Sequence, residues 1–178
     1  PHSIPIDEQF IVSQLVSVSL VQVLKNYHVD CSIKWPNDLY VGNKKIGGML
    51  IENNVRGSRI EHSMVGIGLN VNQTVFKSNA PNPTSLKNIL SVKISVKTLF
   101  AEISKQLTRN FQELNPESIR SAYHTHLYRK KGSHTFQYLN GNCFDAEIMH
   151  VEKDGKLHLK KSDGSTESFY FKEVAFVL

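Results

Sequence analysis

Between Phe10 and Leu24, apolar residues at 10, 11, 15, 18, 21, 23 and 24 cover so much of a helical circumference that the segment predicts a helix buried on most sides. Asp7, two residues after Pro5, is placed to cap it, and its end is expected near Asn26 and Tyr27. The period then shortens. Cys31 to Trp35, Leu39 to Val41, Lys45 to Glu52 and Ser63 to Val71 are short β-branched or apolar runs separated by turn residues. Gly42-Asn43 predicts a two-residue hairpin and Arg56-Gly57-Ser58 a looser turn, which together predict an antiparallel meander.

After a loop over Asn79 to Ser85, with prolines at 81 and 83, helical spacing returns from Val96 to Leu114, and Pro116 opens a further helix to about Tyr128. Arg129-Lys130-Lys131-Gly132 breaks that pattern. From His134 onward, Asp154-Gly155 and Asp163-Gly164 sit between β-like runs as hairpin turns. Five short strands without a helix predict a small β-barrel appended to the core. The expected class is α+β: a mixed, mostly antiparallel sheet with packed helices over 1–131, then the barrel over 132–178.

Composition adds bounds. The 178 residues are 40% hydrophobic and 21% charged, as expected of a soluble globular chain with a real core, and no apolar run is long enough for a membrane span. Cys31 and Cys143 lie far apart and fit no metal or redox spacing, so a reducing cytoplasm is the expected location. A net charge of +5 favours anionic partners without choosing among them. The opening Pro-His-Ser-Ile-Pro has neither an initiator methionine nor the build of a signal peptide and reads as the interior of a longer chain.

Three stretches invite a chemical reading. In KWPND, residues 34–38, strand alternation puts Ile33 and Trp35 on one face and Ser32 and Lys34 on the other, and Pro36 ends ladder pairing. Lys34 is then either a solvent-facing strand lysine or a cation aimed at something. In MVGIGLNVN, residues 64–72, Val65, Ile67, Leu69 and Val71 make an apolar face, while Met64, Gly66, Gly68, Asn70 and Asn72 make a nearly bare one. A ligand lying on the backbone and a close packing of helices both account for such glycines. In KKIGGMLIE, residues 44–52, Gly47-Gly48 marks either a bulge or backbone exposed to a ligand. Neither glycine-rich stretch is a P-loop, and no G-x-S-x-G elbow is present. His124 and His126 point to different sides of their helix, which argues against a shared metal, and His150 and His158 read as ordinary strand residues.

The ordered series KWPND, KKIGGMLIE, VGIGLNVN resembles the catalytic core of biotin protein ligases, and the C-terminal strands ending FKEVAFVL resemble that family's SH3-like domain. The resemblance implies ATP, biotin and Mg²⁺ as ligands, biotinyl-5′-AMP as intermediate, and a lysine of a biotin carboxyl carrier domain as acceptor. It implies that Lys34 contacts biotin and phosphate as the catalytic cation, that Gly47 and Gly48 let biotin lie against the backbone, that Asn70 contacts the nucleotide or its metal, and that Lys172 is a phosphate partner. Asn37 and Asp38 are expected to serve the turn and support the site. The family's upstream GRGRxG-type loop has no counterpart in this sequence, so the 178 residues alone are expected to be poorly active. No DNA-binding module is expected; a homodimer through an exposed strand edge is the remaining partner considered. The rival readings are a lipoate ligase or octanoyltransferase of the same architecture, and a non-enzymatic basic module built on Tyr128-Arg129-Lys130-Lys131.

Overall fold

The computed structural model describes residues 4–77 and 82–178. Residues 79–81 of the expected proline loop lie outside the described residues. Helix α1, Phe10–Asn26, is buried nearly all round, polar Gln14, Ser17 and Ser19 included. The serines return their hydroxyls to the helix, Ser17 to the Ser13 carbonyl and Ser19 to that of Leu15, each at 2.7 Å, and so can be buried without an orphaned donor. Asp7 does not cap this helix. It lies in a 3₁₀ turn over Ile6–Glu8, and Gln9, already at helical angles, leads into α1 without a side-chain cap. The chain thus enters the helix from a turn that is itself helical, which leaves Asp7 too far upstream to reach the first free N–H groups.

The first sheet has the order β1-β5-β4-β3-β2, with β1 Ile4–Pro5, β2 Ser32–Lys34, β3 Asp38–Val41, β4 Lys44–Arg56 and β5 Arg59–Leu69, all antiparallel. The meander is as expected, except that the β4–β5 hairpin extends further into polar sequence, because its backbone ladder continues through Asn53↔Ser63 to Arg56↔Arg59. Among the described residues, parallel pairing appears only as isolated bridges, Ile33 with Leu127 and Lys45 with Pro83.

Beyond the loop, Ser85 caps a short helix not anticipated by the hydrophobic pattern, α2 Leu86–Leu90, by accepting from the Asn88 N–H. Helices α3, Val96–Gln112, and α4, Pro116–Thr125, are capped by Ser95 and Asn115 and pack on α1. The last helix stops before Tyr128 because the chain leaves it to bridge β2: the Ile33 N–H donates to the His126 carbonyl and the Tyr128 N–H to that of Ile33.

The second sheet has the order β10-β6-β7-β8-β9, with β6 His134–Tyr138, β7 Cys143–Val151, β8 Leu157–Lys161, β9 Thr166–Phe169 and β10 Val174–Phe176. Both Asp-Gly turns form, with Asp154 and Asp163 accepting from the N–H two residues on. The edge strands β9 and β10 do not pair with each other among the described residues, but Phe169 and Phe176 from those edges meet Phe144 and Phe136 inside, ring centroids 5.9 and 4.9 Å apart. The sheet is therefore wrapped around one aromatic core rather than closed by hydrogen bonds. Its core is continuous with that of the first sheet.

Candidate functional site

Lys34 stands opposite Asp38, Asp38 opposite Gly48, and Gly48 opposite Gly68 in the ladders from β2 to β5. Directly opposed residues share a face, so these four make one row across the sheet: cation, carboxylate, then two bare positions. Ile33 and Trp35, 0% and 3% exposed, point to the core side as alternation requires.

The row owes its composition to a bulge. The register shifts between Leu39 and Tyr40, where Ile46 of β4 is extra, so that Lys45 opposite Tyr40 and Gly48 opposite Asp38 fall on the same face although they are three residues apart. Lys45 Nζ reaches Asp38 Oδ1 at 2.6 Å. A methyl group on Gly48 would lie 2.8 Å from that same oxygen, so glycine here makes room for the Asp38–Lys45 pair.

The other glycines divide sharply. Gly47 is on the core side; a methyl there would meet the Gly68 carbonyl oxygen at 2.7 Å and Leu69 at 3.2 Å, so the protein's own packing requires it. Gly66 and Gly68 are exposed, and methyls on them would meet nothing closer than 3.7 and 3.8 Å. Packing within the chain gives no reason for glycine at either. Leu50 and Met64, both more than half exposed, flank this floor on the same face.

Lys34 is half-buried rather than solvent-facing. Its ammonium lies 5.0 Å from the Phe176 ring centroid and 5.5 Å from that of Tyr40. Burial pushes its pKa down, Lys45 and Arg129 push the same way, and Asp38 opposes them. Three cations around one carboxylate leave the face attractive to anions. The Tyr40 hydroxyl is buried without a hydrogen-bond partner, and burial, then Asp38 and Tyr128, hold its pKa up at about 12, so it stays a neutral donor. Lys45, Tyr40 and Phe176 were not singled out in the sequence, and Arg129 only as part of a basic run; a bulge and contacts across the fold bring them to Lys34.

The rest of KWPND builds the support. Asn37 Nδ2 donates to the Met49 carbonyl at 2.7 Å and its own carbonyl accepts from the Met49 N–H, which ties the turn to β4. The Trp35 indole donates to the Gly155 carbonyl, and the Trp35–Pro36 bond is cis.

At the far end of the floor, Asn70 is held by its backbone to Ile46 and Leu86, and its side-chain oxygen accepts from Gln73. Asn72 is bound both ways to the Ile94 backbone, 2.8 and 2.9 Å, and serves the loop. Lys172 occupies an exposed turn before β10, its ammonium 5.5 Å from the Phe171 ring; the residue of that segment that reaches Lys34 is Phe176. His124 and His126 diverge: His124 Nε2 meets the Met149 carbonyl, while His126 contributes its backbone to β2. His150 and His158, by contrast, are brought together across β7 and β8.

Residues 3–70, which hold α1, the row and the glycine floor, match the biotin/lipoate A/B protein ligase family. A chloroplastic biotin–protein ligase of Arabidopsis thaliana is 34% identical over 92 residues, 43% of this chain and 25% of its own length. The bifunctional ligase/repressor BirA of Bacillus subtilis is 35% identical over 89 residues, 48% of this chain and 26% of its own. The match thus spans about a quarter of those relatives' length. A solved biotin protein ligase from Aquifex aeolicus, in complex with biotin and ATP, superposes with a TM-score of 0.72 over 93% of this chain and 70% of its own, at 19% identity. Both sheets of this chain therefore follow the biotin protein ligase fold.

Proposed function

We propose that this chain carries the lysine-bearing face of an ATP-dependent biotin protein ligase. In the first step the biotin carboxylate oxygen bonds to the α-phosphorus of ATP as the bond to pyrophosphate breaks. In the second, a lysine amine of a biotin carboxyl carrier domain takes the biotinyl group from biotinyl-5′-AMP, with AMP leaving and the amine proton lost. The observation that carries this reading is the half-buried Lys34 at the head of a row that runs onto the open floor of Gly48, Gly66 and Gly68.

The first step joins two anions, and a fixed cation at their junction lowers the barrier most where water is partly excluded. Lys34 would do that work, and its half-buried position with Lys45 and Arg129 adding positive potential supports the reading. The floor lets a flat ring system lie on backbone, and Leu50 and Met64 offer it apolar flanks. Gly47, on the core side, would serve biotin only through its backbone. Asn70, at the floor's end, is the side chain suited to the nucleotide, and Lys172 would meet phosphate from its exposed turn. Asp38 is the carboxylate on this row, and one of its oxygens is engaged by Lys45. That donor set suits Mg²⁺ held mainly by phosphate oxygens and water, where it would neutralise phosphate charge.

The β5 edge, which among the described residues β1 pairs with at Arg59 and Ile60, suits a second copy in a homodimer. Cys31 and Cys143 are unpaired, which suits a reducing cytoplasm. No helix among the described residues is long and apolar enough to cross a membrane.

Titrating biotinyl-5′-AMP into the chain and into Lys34→Ala tests the reading. Loss of a charge-assisted contact worth about 1.5–3 kcal/mol should weaken binding roughly tenfold or more. Equal binding by both would sink it.

A further inference from the structure

On the second sheet, remote in sequence from KWPND, His150, Glu152 and His158 converge. The bulge between Ile148 and His150 sets His150 directly opposite His158, and Glu152 follows two residues on, on the same face. One ligand atom from each of the three lies within 4.8 Å of the other two. His158 Nε2 is already 2.7 Å from Glu152 Oε1, and the two imidazoles stack with centroids 4.5 Å apart and planes 10° from parallel. His124, which approaches from α4, is committed through Nε2 to the Met149 carbonyl and buttresses the strand instead of joining the set.

We infer that His150, Glu152 and His158 form a binding site for a divalent transition metal ion of the Zn²⁺ class. Two imidazoles and one carboxylate are the donors such ions prefer over the all-oxygen sets of Mg²⁺ and Ca²⁺. At the usual Zn–N distances of about 2.0–2.1 Å, tetrahedral ligand atoms stand roughly 3.3 Å apart, so the longest separations need to shrink by up to about 1.5 Å and the His158–Glu152 pair to open by roughly half an ångström. His150 and Glu152 are exposed and His158 half-buried, which leaves the remaining coordination positions to water. His158 Nε2 is buried and makes no hydrogen bond of good geometry although Glu152 Oε1 is 2.7 Å away, which leaves its lone pair free for a metal.

The site is read by titrating the untagged chain with Co²⁺, whose visible absorption reports tetrahedral nitrogen and oxygen ligands, and with Zn²⁺ in competition. The expected result is one ion per chain, displaced by Zn²⁺, with affinity reduced by about tenfold or more in His158→Ala and in His150→Ala. His62→Ala, a surface histidine on the other sheet, should leave it unchanged. Circular dichroism of each variant separates loss of a ligand from loss of fold. Absence of saturable binding, or equal affinity in all three variants, would overturn the inference.

Discussion

The Trp35 indole N–H donates a 2.8 Å hydrogen bond to the carbonyl oxygen of Gly155, 120 residues along the chain. Its neighbour Lys34 meets Phe176 on the opposite face, so the end of β2 is held between two segments of the second sheet. Gly155 has φ of +98°, and a methyl there would lie 2.7 Å from the Phe10 ring, so position 155 admits only glycine at this junction. Trp35→Phe keeps the apolar bulk and leaves the Gly155 carbonyl without its donor. Urea unfolding should show a loss of about 1–3 kcal/mol. An unchanged midpoint would mean that this hydrogen bond does not hold the sheets together.

The glycines of the first sheet should respond to alanine in opposite ways. Gly47→Ala forces a methyl onto the Gly68 carbonyl and should destabilise the fold by about 1–3 kcal/mol. Gly66→Ala and Gly68→Ala find open space and should be neutral or stabilising by up to about 1 kcal/mol in thermal unfolding. Yet both should weaken biotinyl-5′-AMP binding, since the methyls stand where the ligand would lie. Stable variants with undiminished affinity would remove the floor from the site.

Lys34→Ala should separate function from stability. The ammonium is held half-buried beside Lys45 and Arg129 at some cost, so its removal should change unfolding free energy by no more than about 0.5 kcal/mol in either direction. In protein competent for adenylate formation, pyrophosphate release should fall by about 10²–10³-fold. A collapse of the fold with no separate effect on pyrophosphate release would make the lysine structural.

What could be read from the sequence was whatever depends on alternation or on local turn chemistry. Ile33 against Lys34, and Val65, Ile67 and Leu69 against Gly66 and Gly68, follow from the period of two, and the Asp-Gly turns follow from their residues. Lys45 was missed because an unbroken strand would set it on the face opposite Gly48; the extra Ile46 reverses that. The same limit hid the His150–His158 pair, which depends on a second bulge. Phe176 and Arg129 reach Lys34 through long-range packing that no local pattern encodes, and Asp7 looked like a cap because nothing in the pattern announces a 3₁₀ turn.

Glu8, in that turn, gives the fold a dependence on pH. Its carboxylate bonds Arg120 of α4 at 2.6 Å and Lys153, in the turn after β7, at 3.0 Å, so one side chain joins the entry to α1, the last helix and the second sheet. The bonds from Lys153 and then Arg120 hold its pKa below the usual 4.5. A carboxyl whose folded-state pKa is lowered adds stability above its unfolded value and loses it as the pH falls through the folded one. Glu8→Gln should therefore cost about 1–2 kcal/mol at neutral pH, Arg120 being largely shielded from solvent while Lys153 is exposed and contributes little. The gap between wild type and variant should close in acid, below the ordinary carboxylate range, and shrink only partly in high salt because the Arg120 pair is poorly screened. Urea midpoints taken from pH 7 down to pH 3 would show the closure, and a gap that stays constant across that range would exclude Glu8 as the titrating tie.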